Sequence, residues 1–141
     1  MRVENGMNAA AFQRLIDEAL PFAGDMEMEV VHLSPGNITL RMPCRDSALR
    51  PGGTISGPAM MGLADTAMYG LVLSRLPDAT GAVTTSLTIN FLQKPAAVDL
   101  LAEGQVLKLG RRLAVMEVSL YSVGRPDPVA HVTGTYALPP S

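Results

Sequence analysis

Apolar positions recur along this chain with two different periods, and the change of period marks the change of element. Over residues 8–20, Phe12, Leu15, Ile16, Ala19 and Leu20 fall at helical spacing, and Pro21 stops the pattern. This predicts a short amphipathic helix packed as a lid on the edge of the domain. Residues 26–33 and 37–43 read as two strands joined by the turn Ser34-Pro35-Gly36-Asn37. In the second, Ile38, Leu40 and Met42 alternate with Thr39 and Arg41, so one face is buried. A loop over 44–55 ends in Pro51-Gly52-Gly53. The stretch that follows, SGPAMMGLADTAMYGLVLSRL over residues 56–76, is apolar nearly all round. Ser56 suits an N-cap and Pro58 the first turn of a helix. A helix without a polar face must be wrapped by other structure, so this one is central.

Beyond the break at 77–81, Val83, Thr85, Leu87, Ile89 and Phe91 alternate with Thr84, Ser86, Thr88 and Asn90. The pattern predicts a strand with one apolar face and one hydroxyl-lined face. Residues 99–109 and 113–123 pair across Gly110-Arg111-Arg112, and 129–138 form the last strand. Short links between the last four strands favour an antiparallel meander. The expected class is α+β, with about six antiparallel strands curled round one long helix. A helical segment, 1–24, precedes a domain over 25–141, and Pro139-Pro140-Ser141 reads as a loose end.

Between Arg50 and Arg75 the chain carries one charged residue, Asp65. On a helix its face is shared with Met61, Met68, Tyr69 and Val72. Burial of an unpaired carboxylate costs several kcal/mol, so Asp65 is expected to have a partner or a use. Gly57, beside Pro58, leaves backbone N–H groups at the positive end of the helix, where an oxyanion can be held. Gly62 and Gly70 weaken the helix by roughly 1 kcal/mol each against alanine. They suit places where another backbone or a ligand approaches.

Composition narrows the function classes. Charged residues are 17% and hydrophobic ones 48%, more apolar surface than a small monomer hides, which points to oligomerisation. A net charge of −2 without a basic, aromatic stripe argues against nucleic acid. The longest apolar stretch is interrupted by glycine and by Asp65, which argues against a membrane span. The first residues show no signal-peptide pattern, so the cytoplasm is the expected location. The single cysteine, Cys44, rules out an intramolecular disulfide and a cysteine metal site; no metal or cofactor is expected. His32 and His131 fall in separate strands and read as structural.

The order of elements, with Ser56-Gly57-Pro58 leading into Leu63-Ala64-Asp65-Thr66-Ala67-Met68, then Val83–Phe91 and Leu107–Ala114, resembles the hotdog-fold thioesterases. The similarity is to the phenylacetate-pathway (PaaI-like) branch and spans roughly residues 25–138. It implies hydrolysis of an aryl- or medium-chain acyl-coenzyme A by a homodimer or a dimer of dimers. Asp65 would be nucleophile or general base, the Gly57 N–H would polarise the thioester carbonyl, and Thr84 would help place water. Asp65 of one subunit would face Gly57 of the other. A raised pKa and poor hydration would suit the acid to this work. Lys108, Arg111 and Arg112, around Gly110, would meet coenzyme A phosphates. Met61 and Met68, adaptable apolar side chains, either line an acyl pocket or belong to the helical core. The family's usual His-Gly-Gly reads Ser56-Gly57-Pro58 here, and its usual Asn falls at Arg50. Ser56 and Arg50 therefore stand where supporting substrate contacts are expected, with Arg50 able to meet a negative group. The alternatives are a hotdog protein that binds acyl-coenzyme A or another apolar ligand without turnover, and a hotdog enoyl-CoA hydratase or dehydratase. The last needs a histidine beside the acid.

Overall fold

The computed structural model describes residues 6–140; the start of the N-terminal segment and Ser141 of the expected loose end lie outside them. Helix α1 (Ala9–Ala19) is capped by Asn8, whose side chain accepts from the Ala11 N–H, and it buries Phe12 and Ile16. Pro21 does more than end it. A second short helix, α2 (Pro21–Asp25), starts there, because proline's fixed φ suits the first helical position. Strands β1 (Glu29–Ser34) and β2 (Asn37–Met42) form a hairpin, with Gly36 at φ +83° in its turn. The loop that follows contains a 3-10 turn at Asp46–Ala48 and a Leu49–Ile55 bridge.

Helix α3 (Gly57–Arg75) is the core of the molecule. Leu63, Ala64, Ala67, Met68, Leu71, Val72 and Leu73 are all inaccessible to solvent. Around it curl β3 (Val83–Phe91), β4 (Leu100–Leu109), β5 (Leu113–Ser122) and β6 (Ala130–Ala137). The six strands form one antiparallel sheet in the order β1-β2-β4-β5-β6-β3. The class expected from the sequence is therefore found. The four-strand meander is not: of the last four strands only β4, β5 and β6 follow one another in the sheet, and β3 pairs with β6 at the far edge. Crossing from the β1–β2 hairpin over α3 brings the chain to the other side of the sheet, so β3 starts from the opposite edge.

Glycines set how closely helix and sheet approach. A Cβ on Gly134 of β6 would lie 2.4 Å from the Met68 sulfur, and one on Gly104 of β4 would lie 3.1 Å from Leu71. The helix glycines serve a related purpose. Gly70 gives room to Phe12 and Ile38, and Gly62 gives room to the ring of Phe22. In this chain they admit side chains from the sheet and the N-terminal helices.

Outside the core, one polar cluster joins β2 to the loop before β4. Asp99 accepts from Arg41 Nε at 2.9 Å and Nη2 at 2.7 Å, and from the Cys44 N–H at 2.8 Å. The Cys44 N–H, with the Arg41 guanidinium beside it, holds the Asp99 carboxyl below its ordinary value of 3.8. A depressed folded-state pKa means stability that is present above the unfolded value and lost as pH falls through the folded one. Asp99→Asn is expected to cost about 1–2 kcal/mol at pH 7. Urea denaturation of both proteins at pH 7 and near pH 3 checks this. The gap between them should shrink on acidification.

Candidate active site

Asp65 lies two turns into α3, half-buried, and it is not unpaired. Its Oδ1 accepts a hydrogen bond from Thr84 Oγ1 at 2.8 Å and another from Tyr136 Oη at 2.8 Å. The same phenol lies 2.9 Å from the Asp65 main-chain oxygen. Asp65 is expected from the sequence to have a partner or a use, and Thr84 and Tyr136 are partners within the chain. The carboxylate opens onto a cleft of about 580 Å³, whose walls include Phe22, Gly62, Tyr69, Ala82, Thr84 and Tyr136.

Strand register explains how the two donors converge. Thr84 and Tyr136 are direct cross-strand partners on β3 and β6. Strict alternation along β3 would put Thr84 on the face opposite Leu87, Ile89 and Phe91. The register shifts between Thr84 and Ser86, a bulge in the strand. Beyond it, Leu87, Ile89 and Phe91 pair with Gly134, Val132 and Ala130 of β6, whose side of the sheet faces the helix, as Tyr136 does. One extra residue therefore turns Thr84 inward, onto Asp65. Tyr136 is 3% exposed and stacks on Tyr69 with ring centroids 6.4 Å apart. Burial, with the negative charge of Asp65 adding to it, pushes the phenol well above its ordinary pKa, so it remains a donor.

Sequence reading missed Tyr136. Its signal was the inward alternation Ala130, Val132, Gly134, Tyr136, in which the one polar atom buried on that strand face needs a partner.

The other expected residues are spread more widely. Ser56 caps α3, its Oγ accepting from the Ala59 N–H at 3.2 Å. Gly57 opens the helix, in a first turn that has no intrahelical acceptors for its N–H groups. Phe91, at the end of β3, lies against it: a Cβ on Gly57 would sit 3.4 Å from that ring. Arg50 is exposed in the loop before α3 and forms no ion pair among the described residues. Met61 is exposed on α3. Met68, expected to line an acyl pocket, is instead fully buried against Gly134 and does not reach the cleft.

Lys108, Arg111 and Arg112 sit exposed at the β4–β5 hairpin, around a depression shared with Leu113 and Val115. This tip is at the Asp65 end of the sheet, because Ala114, Tyr136 and Thr84 form one row across β5, β6 and β3. Two strand spacings separate the outer members, about 10 Å.

The histidines lie elsewhere. His131 bonds Glu117 at 3.1 Å, and His32 bonds Ser34. Both border the outer face of the sheet, away from the helix. That face holds a second depression of about 630 Å³, lined by polar residues such as Thr39, Glu103 and Gln105. It is separated from Asp65 by the sheet, so Asp65 has no histidine beside it. No group of three or more metal-binding side chains occurs among the described residues, and no helix among them is long and apolar enough to cross a membrane.

A sheet wrapped round one buried helix, with an acid opening from that helix into a cleft, defines a hotdog-fold hydrolase. The thioesterase superfamily model matches residues 52–128, and the chain belongs to that family of enzymes acting on thioesters. A candidate esterase of Halobacterium salinarum is 32% identical over 79% of this chain and 76% of its own. A solved candidate thioesterase of Silicibacter sp. TM1040 is 40% identical, covers 97% of this chain and 95% of its own, and has a TM-score of 0.86. A point mutant of the phenylacetic acid degradation protein PaaI from Thermus thermophilus is 29% identical, covers 83% of this chain and 97% of its own, and has a TM-score of 0.70. The resemblance to the PaaI-like branch thus extends to three dimensions.

Proposed function

We propose that the protein hydrolyses an aryl- or medium-chain acyl-coenzyme A to the free acid and coenzyme A. Asp65 of one subunit and the Gly57 N–H of its partner would act on the same thioester. The observation that carries this reading is the placement of Asp65 in an apolar cleft, fixed by Thr84 and Tyr136.

Within one chain, Gly57 and Asp65 are eight residues apart on a single helix, about 12 Å along its axis. They cannot serve one carbonyl, so a second copy is needed. β3 supplies the means. It is an edge strand, and Val83, Phe91 and Leu92 are 59%, 52% and 55% exposed, an apolar edge of the kind that pairs. Thr84, at one end of β3, touches Asp65, and Phe91, at the other, lies against Gly57. Antiparallel pairing of two β3 strands about a two-fold axis near Leu87 would set the Asp65 end of each subunit against the Gly57 end of the other. A dimer built this way has two equivalent sites.

The chemistry follows from the groups. A water held near Thr84 loses a proton to Asp65, and its oxygen forms a bond to the thioester carbon. The carbonyl π pair moves onto oxygen, where the Gly57 N–H and the helix dipole stabilise it. Collapse breaks the C–S bond, and the leaving thiolate takes the proton back from Asp65. Direct attack by Asp65 would give an acyl-enzyme anhydride, which water then opens with the same overall balance. The acyl group would lie along Phe22, Tyr69 and Val83, with Met61 bordering it. Lys108, Arg111 and Arg112 would meet the coenzyme A phosphates. Arg50, at the Gly57 end, would meet a negative group of the substrate.

Thiol release from phenylacetyl-, hydroxyphenylacetyl-, benzoyl- and medium-chain acyl-CoAs tests the reading. Turnover of at least one of them is expected, with no hydration of an enoyl-CoA. A folded dimer that binds these compounds without releasing thiol would be a binding protein, and the proposal would fall.

A further inference from the structure

We infer that Asp65 reacts through Oδ2 alone, and that Tyr136 is the positioning residue that makes the two carboxylate oxygens unequal. This rests on the proposed thioester hydrolysis and adds to it the reacting atom and the residue that selects it.

Both hydrogen bonds to the carboxylate fall on the same atom. Thr84 Oγ1 and Tyr136 Oη each donate to Oδ1 at 2.8 Å, while Oδ2 receives no donor among the described residues. A carboxylate oxygen with two donors has its lone pairs engaged and its charge partly neutralised. The other oxygen keeps its lone pairs for a proton from water or for a bond to carbon. Position and reactivity are therefore fixed by the same two contacts.

The two donors are not equivalent. Thr84 lies next to a bulge in β3, a strand that its own subunit pairs on one side only. Tyr136 is buried on β6, a strand paired on both sides, and its ring is held against Tyr69. Its hydroxyl lies within hydrogen-bond distance of both the Asp65 carboxylate and the Asp65 main-chain oxygen, so it locates side chain and helix turn together. A half-turn about the Cβ–Cγ bond exchanges the two oxygens and restores both bonds, so Oδ2 denotes the position that faces the cleft, and only intermediate rotations cost both bonds. Tyr136 thus acts as a stop that presents Oδ2 to the cleft. Such preorganisation matters because displacements of about 1 Å at a reacting group cost up to ~100-fold in rate.

Steady-state thiol release by the wild type, Tyr136→Phe, Thr84→Val and the double variant is the test, with melting temperatures measured in parallel. Tyr136→Phe keeps the ring and its stacking and removes one oxygen. Its kcat is expected to fall about 10- to 100-fold, with KM within about twofold, because the substrate still binds to an intact cleft. Thr84→Val is expected to lower kcat less. The double variant should lose less than the product of the two single losses, since both donors act on one oxygen. Unchanged kcat in a folded Tyr136→Phe protein, a loss confined to KM, or multiplicative losses would overturn the inference while leaving the hydrolase reading intact. Absence of turnover in the wild type would overturn both.

Discussion

Asp65→Asn should lower kcat for thioester hydrolysis at least about a hundredfold, near the usual scale for loss of a general base. The substitution keeps the size of the side chain and leaves an amide oxygen that can still accept from Thr84 and Tyr136. The fold should therefore survive, and melting temperature should stay within a few degrees of the wild type. What is lost is the oxygen able to take a proton or form an acyl bond. KM should change little, because the cleft walls around Phe22, Tyr69 and Val83 are untouched. Kinetics on purified protein, with circular dichroism to confirm folding, decides the matter. Activity within a few-fold of the wild type would mean that Asp65 is an anchoring residue for β3 and β6.

The second large effect concerns a backbone atom. Gly57→Pro removes the N–H at the start of α3 and should lower kcat about 10²- to 10³-fold, the scale for loss of one oxyanion donor. Proline is accommodated on its N-terminal side, whereas Pro58 behind it restrains any residue 57 that carries a Cβ, so melting temperatures are measured for this variant and its alanine control. Ser56 is extended, at φ −74° and ψ 154°, which is the conformation favoured before a proline, and proline suits a first helical position. Gly57→Ala is the control. Its Cβ would meet the Phe91 ring at 3.4 Å, an ordinary contact, and its N–H is retained. Alanine should stay within a few-fold of the wild type. Equal losses in both variants would assign the effect to side-chain volume beside Phe91.

The parts of this fold that were legible in the sequence are those governed by local pattern. Alternation marked β2 and β3, the all-apolar stretch marked α3, and Ser56 marked its start. Pairing of β3 with β6 was not legible, because the partners are joined through contacts as distant as Thr85 and Thr135, 50 residues apart. Thr84 illustrates the same limit at short range. Its alternation placed it on the outer face, and a bulge that no residue type announced turned it inward. Gly62 and Gly70 were recognisable as places of close approach, but the groups that approach, Phe22 and Phe12, come from the N-terminal helices. Met68 failed as a pocket residue because Gly134, far along the chain, leaves a space that its side chain fills. The acid was visible as the lone charge in an apolar helix; its partners were not.

The shared site between subunits is the centre of the account, and subunit mixing tests it most directly. Asp65→Asn and Gly57→Pro chains, co-expressed with different tags and purified through both, give heterodimers with one intact site and one doubly disabled site. Each parent alone should be nearly inactive, while the heterodimer should recover about half of wild-type kcat per dimer. A heterodimer no more active than its parents would contradict the assignment of Asp65 and Gly57 to one thioester from opposite subunits.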